Sequence, residues 1–428
     1  MPQAYLNRYA EAEAAAAGHL LADERWRYVL CIPALDETVD FIARLATRPE
    51  DVLIILVVNQ SGSPVSPANS ALLKAIGEQY PAHKHQGHLS LHRLGAPSLL
   101  LVDRAQTPLP AKTGVGLARK IAADIALQLI HQQRVDDTWI YCTDADATLP
   151  QQYFYLREDH PAVAASLPFQ HTGAPGPLLE ATHLYEQAIR YYAQGLSFAG
   201  SDYGFLCLGS ALAFKARAYA QVRGFNLREA GEDFYLLNKL AKLGEIYRPA
   251  ASADNTITLD ARLSNRTPFG TGACVSQMCQ LADLTEFRYY APECFFTLKH
   301  WFDLVPTLSQ HSLTAALKSL PAPLQNALQA QGIGSLADHL GRQGKNPQQI
   351  RLICHTWQDG FRSLKIIRHL QSEAFPATPL IATLAQQPFG PADTGNAEED
   401  QRQYQQHLLG FLDEDIIQHR PCQPGINL

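Results

Sequence analysis

No stretch of the 428-residue sequence approaches the roughly 18 uninterrupted apolar residues that a membrane span requires. Basic charge is not in excess either. The 35 Lys and Arg stand against 41 Asp and Glu, for a formal charge of -6. That leaves no positive field of the kind phosphate backbones attract, so nucleic acid is not the expected partner. C-x-x-C pairs are missing. The cysteines, Cys31, Cys142, Cys207, Cys274, Cys279, Cys294, Cys354 and Cys422, are scattered, several in apolar runs. This excludes the usual zinc and dithiol motifs and fits reduced thiols in a cytoplasmic protein. The opening segment Gln3 to Leu21 is Ala-rich but carries Glu11 and Glu13, so it lacks the basic flank and clean apolar core of a secretion signal. An amphipathic helix within residues 1–25 is expected instead.

With 46% hydrophobic and 18% charged residues, the chain can form one large domain and a smaller second one. From Trp26 to about Asp260, short β-branched or aromatic runs alternate with helical ones. This is the signature of an α/β, mainly parallel sheet with crossover helices. Expected strands are Trp26 to Ile32, Val52 to Val58, Ser98 to Val102, Thr138 to Cys142 and Ala162 to Leu167. The clearest helix is Thr113 to Gln132, where Val115, Ala118, Ile121, Ile125, Leu129 and Ile130 recur near a helical period. Tyr80 to Gly95, with His83, His85, His88 and His92, reads as a polar loop. Beyond Cys274 the pattern is mostly α-helical, with turn signals at Pro321, Gly332 and Gly341. A loop at Gly390 to Glu399 precedes a last helix near Gln401 to Leu412. The expected organisation is therefore an N-terminal helix (1–25), an α/β domain (26–273) and a mostly helical region (274–428).

The strongest local signal is Tyr141-Cys142-Thr143-Asp144-Ala145-Asp146, where an apolar strand runs into two carboxylates two residues apart. Strand alternation, if it persists, puts both on one side. Ligands of open α/β sheets bind beyond the carboxyl ends of strands, and hard oxygen ligands suit Mg²⁺ or Mn²⁺ bridging to a diphosphate. A second acidic pair, Glu232-Asp233, follows Gly231 and precedes Phe234, Leu236, Leu237 and Leu240, as in the first turn of a helix. Acids there can simply answer the helix dipole, or one can serve as a general base kept ionised by it. Each pair alone also has an ordinary structural reading.

In their joint order with other segments, these motifs resemble the family 2 glycosyltransferases over roughly Arg27 to Gly272. The segment Val29-Leu30-Cys31-Ile32-Pro33-Ala34-Leu35-Asp36-Glu37 is similar to that family's opening strand and P-x-x-N-E turn, with Asp36 where Asn is usual. Val57-Val58-Asn59-Gln60-Ser61-Gly62 matches its next strand, with Asn59 in place of the acid that meets the nucleobase; an amide can still pair with a base edge. Lys112-Thr113-Gly114-Val115-Gly116-Leu117-Ala118-Arg119 looks like the basic, Gly-containing segment near the nucleotide, and its glycines do not fit a P-loop. Gly209-Ser210-Ala211-Leu212 resembles the acceptor-side strand. Val222-Arg223-Gly224-Phe225 followed by Gly231-Glu232-Asp233 resembles the G-G-F and E-D-x-x-L pattern.

The resemblance implies a GT-A-like catalytic domain and a nucleotide-sugar donor contacted by Pro33, Ala34, Glu37, Asn59, Lys112, Arg119 and Asp144. It also implies Mg²⁺ or Mn²⁺ on Asp146 with Asp144, and Asp233, beside Glu232, as the base that activates a hydroxyl acceptor in an inverting transfer. Gly209 and Ser210, together with Arg262 and Arg266 in the Gly-rich segment 261–272, are expected on the acceptor or diphosphate side, since guanidinium forks suit a leaving diphosphate. The Q-x-x-R-W motif of processive synthases is absent. Two alternatives stay open. A sugar-nucleotide-forming nucleotidyltransferase would normally carry a Gly-rich basic loop where Pro33 to Glu37 stand, and a binding protein without catalysis could keep the same fold.

Overall fold

The computed structural model describes residues 2–390, apart from Ser63, 265–269, 309–312 and 344–345. It divides into two compact units, one formed by Met1–Pro175 with Phe205–Cys274, the other by Gly176–Gly204 with the chain after Cys274. The chain therefore leaves the first unit at Pro175 and returns to it at Phe205, inside the stretch that sequence pattern treats as continuous from 26 to 273.

The first unit is an α/β fold. Its strands are β1 (Tyr28–Ala34), β2 (Val52–Ser61), β3 (Lys84–Gln86), β4 (Leu89–Arg93), β5 (Ser98–Leu109), β6 (Trp139–Cys142), β7 (Ala147–Thr148), β8 (Ala164–Ser166), β9 (Phe169–Thr172), β10 (Leu212–Lys215), β11 (Ile246–Tyr247) and β12 (Ile257–Asp260). Nine of them form one sheet in the order β11-β8-β10-β6-β1-β2-β5-β4-β3, and β7-β12-β9 form a small second sheet. The central block β6-β1-β2-β5 is parallel. β2 sits there because Val52 to Val58 is apolar on both faces and wholly buried, the pattern of a strand covered on both sides. Each such side chain contributes roughly 1.5–3 kcal/mol by leaving water. The Gly114–His131 helix, buried along most of its length, packs on β1 and β2.

From β1 the chain builds outward through β2 to β5, then returns across β1 to place β6 on its other side. The path reverses at β1, so the crevice beyond the carboxyl ends of β1 and β6 is where this architecture receives a ligand. β10 runs antiparallel to β6, with Leu212 opposite Cys142, so the turn before β10 opens at the same end.

Two expectations are corrected. The histidine segment is not a loop: β3 and β4 form a hairpin on the sheet edge. Two of its histidines have separate partners. The buried His92 ring reaches the Tyr80 carbonyl (2.5 Å) and Ser90 Oγ (2.7 Å), while His88 meets Glu13 (3.2 Å). The N-terminal segment is two helices, Pro2–Arg8 and Ala12–Leu20, rather than one. Buried Asp124 anchors them by accepting from the Tyr5 hydroxyl (2.6 Å) and the Glu11 amide (2.9 Å).

The second unit is helical, built from Pro177–Ala199, Pro292–Leu304, Ala322–Ala330, Pro347–Trp357, Gly360–Glu373 and shorter helices. Phe287, Phe295 and Trp301 lie in its core. Among the described residues no helix is long and apolar enough to cross a membrane. The expected helix near Gln401 to Leu412 falls outside the described residues.

Candidate functional site

The chain leaves β6 at Cys142 and turns at once, the Ala147 amide donating to the Asp144 carbonyl at 3.2 Å. Strand alternation therefore does not persist through Asp144 and Asp146. The two carboxylates meet different guanidiniums: Asp144 that of Arg119 at 2.6 Å, Asp146 that of Arg262 at 2.8 Å.

Arg119 rises from the first turns of the Gly114–His131 helix and is 3% exposed. Nε donates to Glu232 (2.8 Å), Nη1 to the Gly209 carbonyl (2.9 Å) and Nη2 to Asp144 (2.6 Å). Burial alone would weaken this cation, but Asp144 and Glu232 outweigh it and raise its pKa. One side chain thus joins the carboxyl end of β6, the turn before β10 and the helix Glu232–Leu240. Each of its nitrogens makes a bond within the protein, so Arg119 braces these three segments together. The approach needs glycine at 209, where an added Cβ would lie 2.3 Å from Nη2. Gly116 is needed likewise, since a Cβ there would meet the Asn226 carbonyl at 2.5 Å. Ser210 contributes its carbonyl, which accepts from Thr143 Oγ at 2.9 Å and ties the two turns together.

Asp233 follows Glu232 in the first turn of its helix, half-buried, with Oδ1 accepting from the Phe234 amide at 2.7 Å. Burial, then the adjacent Glu232 charge, pushes its carboxyl up to about 7, against the pull of Arg119. The helix N-terminus does not hold Asp233 firmly ionised, as sequence position suggests. Desolvation and like charge win, and the group is poised near neutrality, where a general base works best.

On the other side of the mouth, Arg262 forms a two-pronged pair with Glu37 (2.7 and 2.9 Å). Register explains how it gets there. β12 lies antiparallel to β7 with Leu259 opposite Ala147, which carries Arg262, shortly past the end of β12, back beside Asp146. Burial opposes the Arg262 charge, but Glu37, Asp146 and Asp144 together raise its pKa. Both Glu37 oxygens thus face the Arg262 guanidinium. Pro33 and Ala34 close β1, both buried, and Asn59 is buried beyond the β2 residue that pairs with Ala34. Lys112 is exposed in the turn before the Gly114–His131 helix and makes none of these ion pairs. Arg266 lies outside the described residues.

Two residues escaped the sequence reading. Asn69, fully buried, accepts from the Asp36 amide (3.0 Å) and donates to the Asn59 carbonyl (3.2 Å), so it latches the turn after β1 to the end of β2. Asp36 there has φ of 53°, a conformation Asp and Asn tolerate, which explains why Asp serves at that point. Lys239 holds the loop before the acidic helix through the Gly224 carbonyl (2.5 Å) and Asn226 (3.0 Å). Asn69 follows Ser66 by three residues, at capping distance, but nothing in that spacing signals the latch.

Asp144 and Asp146 remain 34% and 21% exposed. They are hard oxygen donors, and Mg²⁺-type ions are commonly held by one or two carboxylates with substrate phosphates and water completing the shell. The donor set fits such an ion. It fits only in part as a preformed site, since each carboxylate already pairs with a guanidinium and no group of three or more His, Cys, Asp or Glu that could hold a metal occurs among the described residues.

No family model matches the chain, and no curated protein does. Among solved structures the chain is similar to a mannosyltransferase, PcManGT from Pyrobaculum calidifontis, in complex with GDP-Man and Mn²⁺. The identity is 13% over 97% of this chain and 99% of that one, with a TM-score of 0.34. A likeness so distant transfers no chemistry.

Proposed function

We propose that the protein is a GT-A-type glycosyltransferase that moves a sugar from a nucleoside-diphosphate sugar to a hydroxyl acceptor with Mg²⁺ or Mn²⁺ and inversion at the anomeric carbon. The observation that carries this reading is the Arg119 guanidinium, which ties Asp144 to Glu232 and so gathers both acidic motifs at one sheet end.

In this mechanism the acceptor hydroxyl lies against Asp233, which takes its proton as the acceptor oxygen bonds to the anomeric carbon. The bond from that carbon to the diphosphate breaks, and the nucleoside diphosphate leaves with the electron pair. A divalent cation on Asp146 and Asp144 would neutralise the departing charge. Arg262 faces the same carboxylates and can serve the same diphosphate as a planar donor. Arg119 and Glu232 keep Asp233 in place. The nucleoside end belongs beside Asn59, Pro33 and Ala34, and Gly209 and Ser210 border the acceptor side.

The test is release of nucleoside diphosphate from a panel of nucleotide sugars with Mn²⁺ and simple hydroxyl acceptors. Asp233→Asn should lower kcat at least about 100-fold with the donor KM little changed. Wild-type turnover in that variant would remove Asp233 as the base, and pyrophosphate release from a nucleoside triphosphate plus sugar phosphate would replace this reading with nucleotidyl transfer.

A further inference from the structure

The two guanidiniums of the site are held very differently. Arg119 is 4% exposed at its side chain and bonded in three directions, two of them to carboxylates. Arg262 is 33% exposed, stands at the mouth and spans Glu37 and Asp146. Glu37, 10% exposed, grips it with both oxygens, whereas Asp146, 21% exposed, is met by Nη2 at 2.8 Å. Glu37, the more deeply buried carboxylate, is taken as the anchor, and Asp146, the more exposed, as the exchangeable end.

A carboxylate that faces a guanidinium at 2.8 Å gives up part of its oxygen lone-pair capacity and most of its local field. A divalent cation seeking the same oxygens meets that cost. We propose that Arg262 is an internal counter-cation which competes with divalent metal for Asp146, so that Asp146 takes metal tightly only when a diphosphate draws Arg262 away from it. Glu37 is the positioning residue that keeps the guanidinium at the mouth in either state. This inference rests on the metal-dependent reading above and adds an order of binding to it: metal arrives with, or after, the nucleotide. The energetic form is a coupling between two cations on one carboxylate, and couplings of this kind are typically about 5- to 150-fold in affinity.

A neighbouring arginine supplies the control. Arg44 Nη2 donates to the Ala145 carbonyl at 3.1 Å, one residue from Asp146. Replacing it removes the same unit charge from beside that turn without removing the pair to Asp146.

The experiment titrates MnCl2 into wild type, Arg262→Gln and Arg44→Gln without nucleotide, reading free Mn²⁺ by electron paramagnetic resonance. Arg262→Gln should bind Mn²⁺ at least about fivefold more tightly than wild type, and Arg44→Gln should gain clearly less. If Arg262→Gln melts early, Arg262→Met, which keeps the aliphatic bulk, takes its place. Equal affinity in wild type and Arg262→Gln, or an equal gain in Arg44→Gln, overturns the competition and leaves the metal reading standing. Absence of Mn²⁺ binding in every protein, together with nucleoside diphosphate binding that ignores Mn²⁺, overturns both.

Discussion

At the scale of single residues, the site is governed by what burial does to charge. Asp233 carries a carboxyl raised to about 7 by burial and Glu232, against an ordinary value near 4. Two results follow. The proposed base must be ionised, so kcat/KM, which reports the free protein, should rise with pH through an apparent pKa near 7 and level off above it, and a pH–rate profile checks this. Stability runs the other way. As pH rises from about 4 to about 7, the unfolded chain releases this proton before the folded one does, so the raised pKa favours folding in acid and that advantage is lost on the way to neutrality. The melting temperature of Asp233→Asn relative to wild type should therefore increase from pH 4 to about 7 and hold constant beyond, and an unchanged difference across that range would show the pKa to be ordinary. Gly209 is governed by space. Gly209→Ala puts a methyl 2.3 Å from the Arg119 guanidinium, and since that guanidinium is buried and bonded in three directions, urea melts should show a loss of about 1–3 kcal/mol. Activity should fall with it, because Asp144 and Glu232 lose their common tie.

At the scale of elements, β1, β2 and β6 were legible because a parallel strand covered on both faces must be apolar throughout; β6 ends at Cys142 as expected, while β1 and β2 run on past Ile32 and Val58 to Ala34 and Ser61. Strand alternation failed at Asp144 and Asp146 because β6 stops at Cys142 and the chain turns. The histidine segment gives no strand signal because β3, at the sheet edge, is three polar residues and β4 beside it only five residues long. The latch at Asn69 belongs to this scale, since it couples the helix Pro67–Gln79 to two strand ends. Asn69→Ala should cost about 1–3 kcal/mol through the unmade hydrogen bonds. By loosening the turn after β1 against the end of β2, it should also weaken nucleoside diphosphate binding more than it lowers kcat, as calorimetric titration beside steady-state kinetics can separate.

At the scale of the molecule, charge and ligand linkage decide what can be observed. With a formal charge of -6, a diphosphate donor of the proposed reaction would meet a repulsive background and would need Arg262 and a divalent cation for local attraction. Nucleoside diphosphates should accordingly raise the melting temperature with Mn²⁺ present and much less with a chelator, because binding to the folded state adds stability by mass action. A thermal-shift screen across nucleobases measures this directly, and equal shifts under both conditions would count against metal in the site.

The amino-acid order by itself determined the layered α/β character, the apolar central strands, the helical region after Cys274 and the identity of the acids, because each is written in local periodicity and spacing. Which acid pairs with which guanidinium was decided only in three dimensions. Glu37 and Arg262 are 225 residues apart, Arg119 and Glu232 are 113 apart, and pairings at that separation depend on sheet order and register, which local pattern does not encode. The raised carboxyl of Asp233 has the same origin, since desolvation is a property of what packs around a residue rather than of its neighbours along the chain.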